Sequence, residues 1–299
     1  MTAMSQLPAI SVIMPTRGLR ERHGLLHQAL QSVLSQDAVA AVPILVINGP
    51  DRDPELTREL QNDRRLRVIV LEDASLPAAL LAGRRMVDTP WFAELDDDDL
   101  LLPRALADRV EALEANPDCD AIVTNGLKRA GTGDTLSIQN ISVVRHDPLR
   151  ALAKENWLLP GSYLCRAETV GPGLYEGMPQ YLECTYLAIS LASRFRLQFL
   201  DRPTVVWRMD TPRSESKSRA YVLGQVTAIR RLLELDLPPD VRTRLRHAVS
   251  SASYNIAKLY LREKNLSQAW RWYFRALRQP GGWRYVGFLR RLVAASLAP

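Results

Sequence analysis

Cysteine is scarce in this chain, with three residues in 299, and Cys119, Cys165 and Cys184 stand too far apart for metal-ligand spacing. They exclude a disulfide framework and point to a reducing, cytoplasmic setting with free thiols. The four histidines, His23, His27, His146 and His247, form no ligand spacing either. No apolar run reaches the length of about eighteen residues that a bilayer span requires. The start, Met1–Gln6, lacks a basic region followed by an apolar one, so no secretory signal is expected. No Gly-x-Gly-x-x-Gly follows a strand pattern, and neither Gly-x-x-x-x-Gly-Lys nor Gly-x-Ser-x-Gly occurs. Dinucleotide-fingerprint, P-loop and serine-hydrolase readings are therefore set aside.

What is present is an ordinary globular mixture, 46% hydrophobic and 24% charged, enough for one large domain or two smaller ones. The charge is unevenly spread. Residues 219–299 hold 15 Lys and Arg against 4 Asp and Glu, a net +11. The whole chain carries +6, so residues 1–218 carry −5, and a boundary near residue 218 is expected. The acidic part contains Leu95-Asp96-Asp97-Asp98-Asp99, led by Trp91-Phe92-Ala93 and followed by Leu100-Leu101-Leu102-Pro103. Four adjacent carboxylates repel one another and resist burial unless something positive sits among them. Most Asp runs are solvated turns, but this one has apolar residues on both flanks. Hard oxygen donors in this number suit Mg²⁺ or Mn²⁺, which often arrive with substrate phosphates attached.

Apolar patterning predicts strands over Ile10–Met14, Pro43–Ile47, Val68–Leu71, Trp91–Leu95 and Ala121–Thr124. Between them, helical spacing appears over Leu25–Gln36, Pro77–Met86 and Pro103–Ala115. This alternation implies βαβ units in an α/β sheet, whose ligands sit beyond the carboxyl ends of the strands. Pro15-Thr16-Arg17, Asn48-Gly49 and Asp96–Asp99 all fall at those ends. From 136 to 218 the pattern is mixed, with a helix over Tyr181–Ala192, strands over Leu197–Leu200 and Val205–Trp207, and a loop, Met209–Ser218, that reads as a mobile lid. Beyond 218 the pattern is almost all helical. It ends in an amphipathic stretch, Trp283–Leu297, with arginines around an apolar side, a composition that suits either a core-docked helix or an anionic membrane surface. No nucleic-acid reader motif accompanies the basic residues.

Ser11–Arg17 followed by Ala29–Gln36, then Ile44–Pro50, Trp91–Pro103, Ala115–Asp120 and Gly161–Glu183, resemble in order and spacing the family 2 glycosyltransferases of the GT-A fold. The resemblance covers roughly residues 8–215. It implies a GT-A type α/β fold with a mixed, mainly parallel sheet flanked by helices, here carrying a helical C-terminal extension. It implies transfer of a sugar from a nucleotide-sugar donor to an acceptor hydroxyl, on a glycan or lipid-linked acceptor in assembly of a bacterial surface glycan. Mg²⁺ or Mn²⁺ would bridge the diphosphate. By the family's Asp-x-Asp pattern, Asp98 is the expected direct ligand, helped by Asp96, with Asp97 in the variable slot and Asp99 as loop support. Asp210 stands where many relatives have a metal-contacting His. Pro15, Thr16, Arg17, Asn48, Asp96 and Arg208 would line the nucleotide-sugar site, with Arg213 and Lys217 as further diphosphate contacts. Glu183-Cys184 occupies the place of the usual Glu-Asp, whose Asp is the general base, so Glu183 and Cys184 are the catalytic candidates. A GT-A-shaped binding protein and a metal-dependent nucleotidyltransferase are the competing readings.

Overall fold

The computed structural model describes residues 7–131, 133–212 and 214–297. The leader expectation on Met1–Gln6 and the contact expected of Arg213 lie outside them. The chain begins β1 (Ala9–Thr16), α1 (His23–Leu34), β2 (Ala40–Asn48), α2 (Pro54–Asn62), β3 (Arg67–Leu71), α3 (Leu76–Arg85), β4 (Trp91–Glu94). It continues through β5 (Leu100–Leu101), α4 (Ala105–Glu114), β6 (Ala121–Ala130), β7 (Gly133–Leu136), α5 (Ile141–His146), α6 (Pro148–Ala151) and β8 (Tyr163–Arg166). Then come α7 (Glu183–Arg194), β9 (Leu197–Arg208), α8 (Arg219–Leu232), α9 (Pro239–Arg262), α10 (Leu266–Leu277) and α11 (Leu289–Leu297).

The strands form one sheet in the order β3-β2-β1-β4-β8-β6-β9-β5, with β7 paired to β6. Neighbours from β3 to β4 run parallel, as do β6 and β9, while β8, β5 and β7 are antiparallel insertions. Alternate residues of β1 serve opposite faces: Ile13 joins a core with Leu80 and Phe92, whereas Val12 and Met14 join another with Leu26 and Val33. Both faces are covered, which is why the parallel strands read as unbroken apolar runs. The first core passes position 218 without interruption, since Leu187 and Ile189 of α7 share it with Ile229 and Leu232 of α8 and Val241, Leu245 and Val249 of α9. At roughly 25 cal/mol per Å² of apolar surface, this shared burial seats the basic helices on the sheet's cover.

Several elements differ from the sequence expectation, each for a local reason. Strand β1 runs through Pro15 to Thr16 instead of stopping at Met14. Its pairing with β4 covers only Ile10–Ile13, so the missing N–H of Pro15 falls where the ladder to β4 has already ended. Helix α2 was not expected. Asp53 caps it by accepting from Leu56 N at 2.7 Å, Pro54 opens it, and only Leu56, Thr57 and Leu60 are buried. The two strands expected around 197–207 are one strand, β9, whose pairing with β6 shifts register beside Asn125 and so carries Asp201-Arg202-Pro203 through. The helix expected over 283–297 is a 3₁₀ segment, Gly282–Phe288, followed by α11.

Candidate active site

Strand β4 is short and fully buried, and Leu95 N extends its ladder by donating to Ile13 O at 3.0 Å. The chain then turns, with Asp99 N donating to Asp96 O at 3.2 Å, and β5 pairs Leu100 and Leu101 with Val206 and Val205 of β9. Asp96–Asp99 thus occupy a tight turn at the carboxyl edge of the parallel strands, held by β1 on one side and β9 on the other.

The four carboxylates have different surroundings. Asp97 is buried and fully engaged: Thr16 Oγ1 donates to its Oδ2 at 2.6 Å, and Arg22 Nη2 donates to its Oδ1 at 2.6 Å. The same Arg22 nitrogen lies 2.9 Å from Asp98 Oδ2, which also accepts from Thr211 Oγ1 at 2.7 Å. Asp99 accepts from Arg208 N at 2.9 Å through Oδ1, while its Oδ2 is buried with no hydrogen-bond partner. The Asp96 carboxylate takes no side-chain hydrogen bond among the described residues. Burial, then the repulsion of the neighbouring carboxylates, pushes the Asp96 and Asp99 carboxyls well above the ordinary range. Burial weakens proton binding at Arg22, but Asp97 and Asp98 more than offset it and hold this guanidinium firmly charged.

One carboxylate oxygen from each of Asp96, Asp98 and Asp99 lies within 4.8 Å of the others. Three hard donors, one bearing an orphaned buried lone pair, fit Mg²⁺ or Mn²⁺ with phosphate oxygens completing the shell. Asp99, expected only to support the loop, belongs to this set. Asp210 does not: its carboxylate is exposed and pairs with Lys217, also exposed, at 3.6 Å. Among the described residues of that loop, the side chain that meets the cluster is Thr211, one residue on, and Pro212 O accepts from Arg22 Nη1 at 2.8 Å. The expected mobile lid is tied to the carboxylate edge at these two points.

The expected nucleotide-lining residues divide into frame and surface. Pro15 is buried within β1 opposite Val46. The Thr16 hydroxyl is spent on Asp97 and on accepting from Gly18 N at 3.1 Å. Asn48 is also buried, its amide donating to Thr16 O at 3.0 Å and accepting from Ser75 N at 3.2 Å, so it ties the ends of β1 and β2 to the start of α3. Arg17 is half-buried, bonded to Asp51 at 2.8 Å, with its Nε unpartnered beside Gly49. Arg208 sends its guanidinium to Gln28 Oε1 at 2.6 Å, and only its backbone reaches the aspartates.

Opposite the aspartates stands the start of α7. Tyr181 and Leu182 are consecutive non-glycine residues in the left-handed region, φ 70° and 59°, immediately before Glu183. Such conformations cost on the order of 1 kcal/mol or more each and persist only where surroundings impose them. Here Tyr181 N donates to Glu183 Oε1 at 2.7 Å, and the Tyr181 ring packs edge-on to Tyr221 of α8. A Cβ on Gly224 of the same helix would stand 2.3 Å from that ring, so only glycine lets it seat. Burial raises the Glu183 carboxyl and, more strongly, the Cys184 thiol, which also feels Asp96, Glu94, Glu183 and Asp99. Cys184 is therefore a neutral thiol. Behind it, Glu94 at the end of β4 accepts from the Tyr163 and Tyr175 hydroxyls, and burial pushes its carboxyl up to about 7.

Arg22, Thr211, Glu94 and the Tyr181–Gly224 contact escaped the sequence reading. Arg22 is one of three arginines in six residues, and Thr211 one polar residue in a polar loop, so no periodicity marked either. Glu94, a charged residue inside an apolar strand, was the one legible signal.

The sequence profile of Glycosyl transferase family 2 matches residues 11–162, just over half the chain. An uncharacterized protein, y4gI of Sinorhizobium fredii, is 32% identical over 123 residues, 40% of this chain but 13% of that protein, so the chain spans only a small part of this relative's length. Among solved structures, S. aureus TarS 1–349 in complex with UDP-GlcNAc superposes with a TM-score of 0.56 at 12% identity, covering 87% of this chain and 89% of that one. A longer S. aureus TarS structure gives 0.54 at 14% identity, over 82% of this chain and 43% of the other. The shared architecture is the GT-A fold with a helical region after the sheet. On the extent of the profile match, this chain belongs to glycosyl transferase family 2.

Proposed function

We propose that the chain transfers a sugar from a nucleotide-sugar donor to an acceptor hydroxyl on a glycan or lipid-linked glycan, with inversion at the anomeric carbon. One observation carries the reading: three carboxylates converge at the carboxyl edge of the sheet, one with a buried unpartnered oxygen, in a chain of this family. Asp98 and Asp99, with Asp96, would hold Mg²⁺ or Mn²⁺. Bound there, the ion would act as a Lewis acid and template for a donor diphosphate. Arg22 neutralises Asp97 and part of Asp98, leaving the remaining negative charge directed at the ion site. Thr211 and Pro212 fasten the 209–218 loop over that edge, where closure would exclude water.

Glu183 is the proton acceptor for the acceptor hydroxyl in this scheme. Its raised pKa brings it closer to neutrality, where a general base works best, while the Cys184 thiol keeps its proton. A single base with no second carboxylate acting as nucleophile corresponds to direct displacement and inversion. UDP-GlcNAc, the compound bound by the TarS structure, is the donor to test first. Turnover with Mn²⁺ should be abolished by chelation and fall by about a hundredfold or more in Asp98→Asn, on the scale of losing one charge-stabilising group. Metal-independent turnover, or full activity in Asp98→Asn, would contradict the reading.

Cys184 in the base position favours one second reading, a pocket that binds a nucleotide sugar without transferring it. Cys184→Asp separates the two. A rate gain over wild-type turnover supports an impaired base position, whereas binding without turnover in both proteins supports the second reading.

A further inference from the structure

The last 34 described residues, 264–297, contain six arginines and Lys264 but no Asp or Glu. None of these seven cations has a carboxylate partner among the described residues. Three lie over aromatic rings instead: Arg275 on Trp272, Arg284 on Trp283 and Arg291 on Phe288. The terminal segment has two apolar sides. Phe288 and Leu292 are buried with Tyr273, Ala269 and Ala257, which accounts for its docking onto α9 and α10. The other side is left in solvent. Trp283, Val286, Leu289, Val293 and Leu297 follow at steps of three, three, four and four, and are 73%, 53%, 41%, 41% and 80% exposed. Steps of three in the 3₁₀ segment and four in α11 place them along one side of the chain. Core docking explains only the first side.

We propose that this second side is a docking face for an anionic lipid bilayer. The apolar stripe would enter the headgroup boundary with Trp283 as its interfacial anchor, and the flanking arginines Arg284, Arg290 and Arg291 would meet lipid phosphates. Charge complementarity selects this occupant: the surface pairs exposed apolar side chains with cations that find no carboxylate partner among the described residues. The inference goes beyond the catalytic reading and stands whether or not the carboxylate edge transfers sugar.

The test is co-sedimentation of the full chain with vesicles of phosphatidylcholine and phosphatidylglycerol mixed two to one, beside vesicles of phosphatidylcholine alone. Binding to the anionic vesicles at low salt, its loss at high salt, and a tryptophan blue shift absent in Trp283→Ser are expected. Arg290→Gln with Arg291→Gln should weaken partitioning about 25-fold, at about fivefold per charge near the surface. Trp283→Ser with Val293→Ser should weaken it by about tenfold or more, with circular dichroism unchanged. Three outcomes overturn the proposal: no sedimentation at low salt, sedimentation unaffected by both double variants, or vesicle binding absent while duplex RNA or a second copy of the chain is bound.

Discussion

The carboxylate edge and the arginine-rich terminus are two crowds of like charge handled in opposite ways. Asp96–Asp99 sit in a turn where Asp97 and Asp99 are buried, and the fold supplies a counter-charge, Arg22, plus hydroxyls from Thr16 and Thr211. Even so, one oxygen of Asp99 is left without a partner. The arginines of 264–297 stay in solvent, where hydration suffices and none pairs with a carboxylate among the described residues. Buried like charges must be answered inside the molecule or by a bound ion, whereas exposed ones can wait for an external surface. Our two proposals place a ligand at the unfinished part of each arrangement.

The contrast is sharpest at single cations. Arg22→Met should destabilise the chain by about 3–5 kcal/mol, because it leaves Asp97 buried without its charge partner. Chemical denaturation measures this, and Mn²⁺ should restore part of the loss in the variant by binding the folded state. The next effect is pH-dependent. Glu94 titrates near 7 in the folded chain against 4.5 ordinarily, so the folded state holds the proton more tightly. Its contribution is therefore fully present below pH 4.5, declines as pH rises to about 7, and is flat beyond. The stability difference between wild type and Glu94→Gln should change by about 3 kcal/mol across that window. A difference independent of pH would place Glu94 outside the buried carboxylate set.

Gly224→Ala comes third. Its Cβ would displace the Tyr181 ring and with it the left-handed pair that presents Glu183. A stability loss of about 1–3 kcal/mol is expected from overpacking. If Glu183 is the base as proposed, turnover should fall by roughly tenfold, consistent with its small misplacement. Smallest of all, Arg290→Gln and Arg291→Gln should each change stability by less than about 0.5 kcal/mol, since both are exposed and neither has a carboxylate partner among the described residues. A large loss there would erase the distinction between the two regions.

Much of this was legible because the parallel strands are covered on both faces: Ile10–Met14, Ile44–Ile47 and Trp91–Ala93 could be read as buried runs, and the aspartates stood out against their apolar flanks. What escaped depended on direction and distance. Helix α2 buries two leucines in a nine-residue segment that is otherwise mostly polar, too little for periodicity to register. The continuity of β9 rests on a register shift opposite Asn125, which no local pattern announces. Asp210 was expected to reach the aspartates, yet its carboxylate pairs with Lys217 while Thr211 donates to Asp98, because the direction of a loop side chain is settled by the backbone around it. Asn48, expected to line the nucleotide-sugar site, has its amide engaged with Thr16 and Ser75, which no local pattern foretells. The left-handed pair at Tyr181–Leu182 comes from α8, a helix forty residues downstream whose glycine makes room for the ring.

Titration of the full chain with Mn²⁺, followed by electron spin resonance of the free ion, tests the central claim that the carboxylate edge is an ion site. One saturable site is predicted, lost in Asp98→Asn and in Asp99→Asn and retained in Asp210→Asn. Undiminished binding in Asp99→Asn, or no site in the wild-type chain with or without UDP, would contradict it.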